Sequence, residues 1–143
     1  MKFVLDASVA LNWLLADGTP TNNAYANGAL RALASASTLA VAPATWWLEI
    51  ANVIAKAESK RAITAAQSES FLELIAGLGV EPESATTSKA LAETLQLARR
   101  YRLSSYDASY LELALRAGLP LATLDEDLRK VAAKAGVKPF AAG

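Results

Sequence analysis

Four carboxylates are the side chains of this sequence best suited to chemistry: Asp6, Glu49, Asp107 and Asp125. Asp107 is the least expected of them, because at 100° per residue it falls inside an apolar helical arc. That arc consists of Tyr106, Tyr110, Leu113, Ala114 and Ala117, with Leu111 on its flank. An unpaired carboxylate is costly to bury, so a compensating charge is expected near Asp107.

Helix capping is the alternative explanation of Asp107. Ser104 and Asp107 have the S-x-x-D spacing of a capping box, and an acid in the first helical turn suits the helix dipole. Capping explains why an acid stands at position 107, whereas a bound cation would also explain why this acid lies on the apolar face of the helix. From the residues alone both explanations stay open.

The other acids also have two interpretations each. Asp6 and Asp125 follow predicted strands and could cap the next helix. Glu49 borders the apolar arc of its helix and could extend to water or pair with a lysine. Asp125 and Asp127 lie on the two borders of the last helix's apolar arc, so Asp127 is an auxiliary candidate.

The elements expected to position these acids alternate between strands and helices. Strands are predicted at KFVL, TLAVA, GVEPES and GLPLAT, with VKPF as a short fifth. Helices are predicted at ASVALNWLLA, from about Asn22 to Ser35, at TWWLEIANVIAKAESKR, TAAQSESFLELIAGL and TSKALAETLQLARRY, around Asp107 and at DEDLRKVAAKAG. This order predicts an α/β fold, a parallel sheet of four to five short strands with helices on both faces.

Composition restricts the available chemistry. The 143 residues include no cysteine and no histidine, which excludes thiolate sites and imidazole acid–base catalysis. A parallel sheet gathers the carboxyl ends of its strands at one edge, so the four acids can meet there. Adjacent carboxylates repel one another unless cations hold them, and an all-oxygen ligand set favours Mg²⁺ or Mn²⁺.

Length and hydropathy predict one globular domain over residues 1–143, with an apolar fraction of 53%. The apolar N-terminal run is interrupted by Asp6 and Asn12, so neither a signal peptide nor a membrane span is predicted. The lack of cysteine suits a cytoplasmic protein. Ser8 and Asn12 form a polar stripe on the first helix, which could line a wet site or simply be a solvated edge.

Three stretches together resemble the PIN domain family, and most closely the VapC-type ribonuclease toxins of bacterial toxin–antitoxin pairs. FVLDASVALNWLL resembles the family's opening strand, aspartate and helix, and WWLEIANVI resembles its glutamate helix. LSSYDASYLELALRAGLPLATLDEDLRKVAAKAGV resembles the family's C-terminal half, including the YDA and TLD patches. The specificity of the resemblance lies in the order and spacing of the three stretches.

The resemblance implies a PIN-like (Rossmann-like) parallel sheet and cleavage of RNA by a water activated on Mg²⁺ or Mn²⁺. It carries catalytic and metal-binding roles onto the four acids named first, and a metal-binding role onto Asp127. Ser8 and Thr123 match small hydroxyl positions that could hydrogen-bond a carboxylate or a metal-bound water. It also implies a small antitoxin protein as inhibitor.

The formal net charge of zero is not what is expected of a nuclease. Fourteen basic residues balance fourteen acidic ones, so phosphate would be bound by metals and by local basic patches. Candidates for such patches are Arg99, Arg100, Arg102, Lys56, Lys60 and Arg61. The alternative is that these are ordinary solvated residues at helix ends.

Other protein classes fit less well. A phosphoacceptor receiver domain needs paired acids after its first strand, but Ala7 follows Asp6 here. A haloacid-dehalogenase-type phosphatase needs D-x-D at that point, and position 8 is serine. A PIN-like domain that only binds, without catalysis, would be favoured by loss of an acid, and all are present.

Two helices carry more apolar side chains than a single core-facing stripe would need, which predicts a protein partner. The first helix has one arc through Ala7, Leu11, Leu14 and Leu15 and a second stripe at Val9 and Trp13, while Trp47 borders the arc of its own helix. Neighbouring helices or a homodimer contact could cover these surfaces. The resemblance favours an amphipathic antitoxin helix as the partner that covers them. An RNA substrate and a homodimer are also expected.

Overall fold

The structure is a computed structural model and describes residues 1–142. Its sheet consists of β1 (Lys2–Leu5), β2 (Leu39–Pro43), β3 (Glu81–Glu83) and β4 (Leu121–Ala122). The strands are parallel and lie in the order β3-β2-β1-β4. This confirms the predicted α/β class.

The predicted fifth strand is reduced to a single parallel bridge between Leu121 and Pro139. The amide of Leu121 donates to the carbonyl of Lys138, and the amide of Phe140 donates to the carbonyl of Leu121. The segment around Pro139 therefore extends the sheet beyond β4 by one residue. Phe140 stacks on Phe3 at a ring-centroid distance of 3.8 Å.

The helices follow the predicted order with shifted ends. They are α1 (Ala7–Leu15), α2 (Pro20–Leu33), α3 (Trp46–Ser59), α4 (Ala65–Leu78), α5 (Thr86–Lys89), α6 (Leu95–Tyr101), α7 (Ser105–Ala117) and α8 (Glu126–Lys134). The helix predicted at TSKALAETLQLARRY is not continuous. A π-helical segment (Ala90–Thr94) separates α5 from α6, and Ala92 has non-helical torsions (φ −119°, ψ −106°) that kink the chain.

Sheet order explains where a site can form. The chain moves from β1 through β2 to β3 on one side and then crosses to β4 on the other side of β1. With right-handed crossovers, this reversal places α1 to α4 on one face and α5 to α7 on the opposite face. The crevice between the carboxyl ends of β1 and β4 is therefore the topological switch point of the sheet, where α/β proteins bind ligands.

The core lies between the sheet and the helices on its faces. Phe3, Val4, Leu5, Trp46 and Tyr110 are fully buried within it. No helix within residues 1–142 is long and apolar enough to cross a membrane.

Candidate metal centre

Asp6 lies directly after β1 at the switch point, and its carboxylate is held by hydroxyls. Ser8 donates to Oδ2 of Asp6 at 2.7 Å, and Thr123 donates to the same oxygen at 2.6 Å. Asp6 occupies the N-cap position of α1, but its side chain makes no capping hydrogen bond. Burial raises its pKa above the usual range, and the charge of Asp125 adds to this, while the two hydroxyls act in the opposite direction.

The loop between β4 and α8 closes over Asp6 through the same two hydroxyls. The amide of Leu124 donates to Oγ of Ser8, and the amide of Asp125 donates to Oγ1 of Thr123, each at 3.0 Å. Oδ1 of Asp125 accepts from the amide of Leu128 at 2.8 Å. Asp125 therefore caps α8 with one carboxylate oxygen, the alternative role that its position allowed, while it lies beside Asp6.

Arg129 supports this loop from α8, a contact that the sequence did not indicate. Its Nε donates to the carbonyl of Thr123 at 3.0 Å, and its guanidinium lies 5.0 Å from the ring centre of Tyr25. The hydroxyl of Tyr25 donates to the carbonyl of Phe140. No local pattern could have found Arg129, since its partners are the sheet edge and α2.

Glu49 projects from α3 toward the same end of the sheet. Its Oε1 accepts a hydrogen bond from the hydroxyl of Tyr110 on α7 at 3.0 Å. Burial raises the pKa of Glu49 to about 7; the Tyr110 hydrogen bond opposes this, and the charges of Asp6 and Asp107 add to it. The sequence pattern places Tyr110 on the apolar face of α7 and so does not indicate this polar contact.

Asp107 is half-buried in the first turn of α7. Oγ of Ser104 accepts from the amide of Asp107 at 3.0 Å, so Ser104 caps α7, as the capping alternative requires. Burial, followed by the charges of Asp6 and Asp125, raises the pKa of the Asp107 carboxyl to about 6. The predicted apolar arc is correct in its middle, whereas Tyr106 and Ala117 at its two ends are exposed.

The remaining candidates are less closely involved. Asp127 is exposed, although its charge contributes to the raised pKa of Asp107. Asn12 is buried, and its Nδ2 donates to Oδ1 of Asn23 on α2 at 2.8 Å. Its observed contact therefore joins two helices.

The pKa values of Asp6, Glu49 and Asp107 are each raised in part by the charge of another acid of this group, so the four carboxylates lie near one another. Their oxygen donors and their uncompensated negative charge suit a hard divalent cation. Within residues 1–142 no three acids form a ready-made ligand shell, so holding a cation would require side-chain rotation. Asp6, Asp125 and Glu49 each use one carboxylate oxygen for the protein hydrogen bonds given above, which leaves the other for a ligand.

The structure combines a Rossmann-like parallel sheet with carboxylates at its switch point. The PIN domain family model matches residues 3–134, and the chain belongs to this family. PIN domains are generally nucleases that use divalent metal ions.

Two solved structures support the fold. PAE2754 from Pyrobaculum aerophilum is 22% identical, with a TM-score of 0.65 over 92% of this chain and 79% of that chain. FitAcB from Neisseria gonorrhoeae is 20% identical, with a TM-score of 0.59 over 99% and 98% of the two chains. The search of curated proteins found no match.

Proposed function

We propose that this protein is a Mg²⁺- or Mn²⁺-dependent endoribonuclease, the toxin of a type II toxin–antitoxin pair. The observation that carries the proposal is the approach of Asp6, Glu49, Asp107 and Asp125 to one another from four separate parts of the chain. Carboxylates gathered in one place without a positively charged side chain beside them are expected where a cation binds.

The reaction is hydrolysis of an RNA phosphodiester. A water oxygen attacks phosphorus and the bond from phosphorus to the 3′ oxygen breaks. The proton lost by the water is balanced by the proton that the 3′ oxygen gains, so the products carry 5′-phosphate and 3′-hydroxyl ends. A divalent cation bound by these acids would supply the Lewis acid that activates the water and stabilises the charge on phosphate. The acids would hold the cation, while the hydroxyls of Ser8 and Thr123 keep Asp6 in place.

Exposed basic residues flank the elements that carry the acids and are suited to the RNA backbone. Arg99, Arg100 and Arg102 precede α7, while Lys56, Lys60 and Arg61 lie at or beyond the end of α3. Each contact of a lysine or arginine with a phosphate releases counterions, so RNA binding through these residues should weaken as salt concentration rises.

Activity is tested with purified protein and total RNA. We expect cleavage in Mg²⁺ or Mn²⁺ that stops in EDTA, and sequencing of the ends should find 5′-phosphates. Metal-independent cleavage would contradict the proposal, as would RNA that is bound but left intact, the result expected of a binding module.

The partner is proposed to be a small antitoxin that contributes an amphipathic helix. A groove of about 430 Å³ lies between α1 and α4 and is lined by Trp13, Leu14, Phe71 and Leu74, among others. Val9 is fully buried and Nε1 of Trp13 donates to the carbonyl of Ala26, so the stripe predicted from these two residues is largely used within the fold. We assign the antitoxin helix to this groove.

Growth provides the test of this pairing. Expression of the protein alone should arrest growth, and coexpression with the antitoxin should restore it. Size-exclusion chromatography of the isolated protein tests the homodimer, which could cover the same apolar surface.

A further inference from the structure

Tyr110 links two helices of the acidic site. Its hydroxyl is 3.0 Å from Oε1 of Glu49, which is 61 positions away in the sequence. An ionised carboxylate can only accept a hydrogen bond, so the tyrosine is the donor. Tyr110 lies three residues after Asp107 on α7, so one helix carries an acid of the site and the contact that holds a second acid.

The environment makes Tyr110 a rigid support. Its side chain is fully buried, as is that of Trp46, which lies one turn before Glu49 on α3. A tyrosine has two side-chain torsions and here the core fixes its ring, whereas a glutamate has three torsions and Glu49 is only half-buried. Without a fixed donor, Glu49 could extend into water and away from the other acids.

The contact repeats a pattern of this site. Oδ2 of Asp6 accepts from two hydroxyls and Oδ1 of Asp125 accepts from a backbone amide. Oε1 of Glu49 is held in the same way. In metal sites, such outer partners orient the ligating carboxylates and commonly change metal affinity 10- to 100-fold when they are removed.

We propose that Tyr110 is a positioning residue of the metal centre, whose hydroxyl orients Glu49 so that Oε2 is presented to a divalent cation. This inference rests on the proposed function, since it requires that the acids bind metal. It assigns Tyr110 no contact with RNA or with the cation.

Calorimetric titration with Mn²⁺ in the absence of RNA tests the inference. Tyr110→Phe keeps the buried ring and should weaken Mn²⁺ binding about tenfold or more. Tyr106→Phe removes the same hydroxyl from an exposed residue of the same helix and should bind Mn²⁺ as the wild type does. Equal affinity of Tyr110→Phe and wild type would overturn the inference.

A double-mutant cycle distinguishes positioning from a general structural effect. If Tyr110 acts through Glu49, adding Tyr110→Phe to Glu49→Ala should not weaken Mn²⁺ binding further. An additional tenfold loss in the double variant would mean that Tyr110 acts by another route, and the inference would be wrong.

A measurement on the wild-type ring covers the case in which Tyr110→Phe does not fold. Protein labelled with ¹³C at tyrosine Cζ gives one resonance for each of its four tyrosines. The resonances other than that of Tyr110 are assigned with the variants Tyr25→Phe, Tyr101→Phe and Tyr106→Phe. Mg²⁺ should shift the Tyr110 resonance, and Glu49→Ala should abolish that shift. If the wild-type protein binds Mg²⁺ but the Tyr110 resonance does not shift, the inference is wrong and the proposed function stands. If the wild-type protein binds neither Mg²⁺ nor Mn²⁺, the proposed function is wrong as well.

Discussion

The hydroxyl of Thr123 lies 2.6 Å from Oδ2 of Asp6, which joins residues 117 positions apart in the sequence. The same hydroxyl accepts from the amide of Asp125. One buried side chain thereby connects the end of β1 to the loop after β4, and both acids of the switch point depend on it for their placement.

Replacement of Thr123 by valine should destabilise the protein. Thr123→Val keeps the shape but leaves Oδ2 of Asp6 with one donor fewer and the amide of Asp125 without its acceptor, at a cost of about 1–3 kcal/mol. Thr123→Ser keeps the hydroxyl and should lose less. Urea unfolding of the three proteins measures this difference, and a valine variant as stable as wild type would show that water replaces the hydroxyl.

The metal-free protein should be more stable at pH 5 than at pH 8. The pKa values of Glu49 and Asp107 are raised to about 7 and about 6, so the folded state binds protons more tightly than the unfolded state. This stabilisation is fully present below the unfolded pKa values of about 4 and is lost as pH rises through 6 to 7.

Melting temperatures in EDTA measure this pH effect. Glu49→Gln removes one titrating group, so the melting temperature of this variant should fall less between pH 5 and pH 8 than that of the wild type. An identical fall in both proteins would show that Glu49 does not titrate in this range.

Magnesium should raise the melting temperature of the wild type, because a ligand that binds only the folded state stabilises it by about 2.7 kcal/mol at 100 times its Kd.

Asp6→Asn should raise the melting temperature in EDTA, since it removes repulsion of about 1 kcal/mol while an amide oxygen can still accept from Ser8 and Thr123. The same variant should respond less to Mg²⁺. If Asp6→Asn instead melts lower in EDTA, the charge of Asp6 stabilises the fold and the acids do not repel one another as described.

Asp125→Asn should reduce RNA cleavage more than about 100-fold, because it removes a ligand charge and keeps the side-chain shape. The same loss is expected for Asp6→Asn and Asp107→Asn. Glu126→Gln is the matched control, since Glu126 is exposed and next in sequence. Initial rates on one RNA, with circular dichroism to verify folding, provide the measurement. Full activity of Asp125→Asn would remove this residue from the proposed site.

Leu74→Glu should weaken rescue by the antitoxin and leave RNA cleavage intact. Leu74 lines the groove between α1 and α4 and is 37% exposed, so the substitution adds charge to the groove without entering the core. Leu91→Glu is the control, because Leu91 is 87% exposed in the π-helical segment and outside this groove. Wild-type antitoxin affinity in Leu74→Glu would show that the partner binds elsewhere.

The sequence by itself determined the order of strands and helices, and with it the fold class. Alternating apolar runs and amphipathic segments are local patterns, and parallel strands with connecting helices have few permitted arrangements. It also placed Asp6 and Asp125 at the ends of strands and excluded histidine and cysteine chemistry. These inferences need only neighbouring residues and the rules of sheet topology.

Tertiary structure decided what each acid contacts. Asp6 and Asp125 have the same local context, a carboxylate between a strand and a helix, yet only Asp125 caps its helix. Asp6 is instead held by Thr123, whose hydroxyl reaches it only because β4 pairs with β1. The contacts of Tyr110 with Glu49 and of Arg129 with Thr123 likewise join separate elements, and a local pattern cannot specify a partner that packing alone brings within hydrogen-bonding distance.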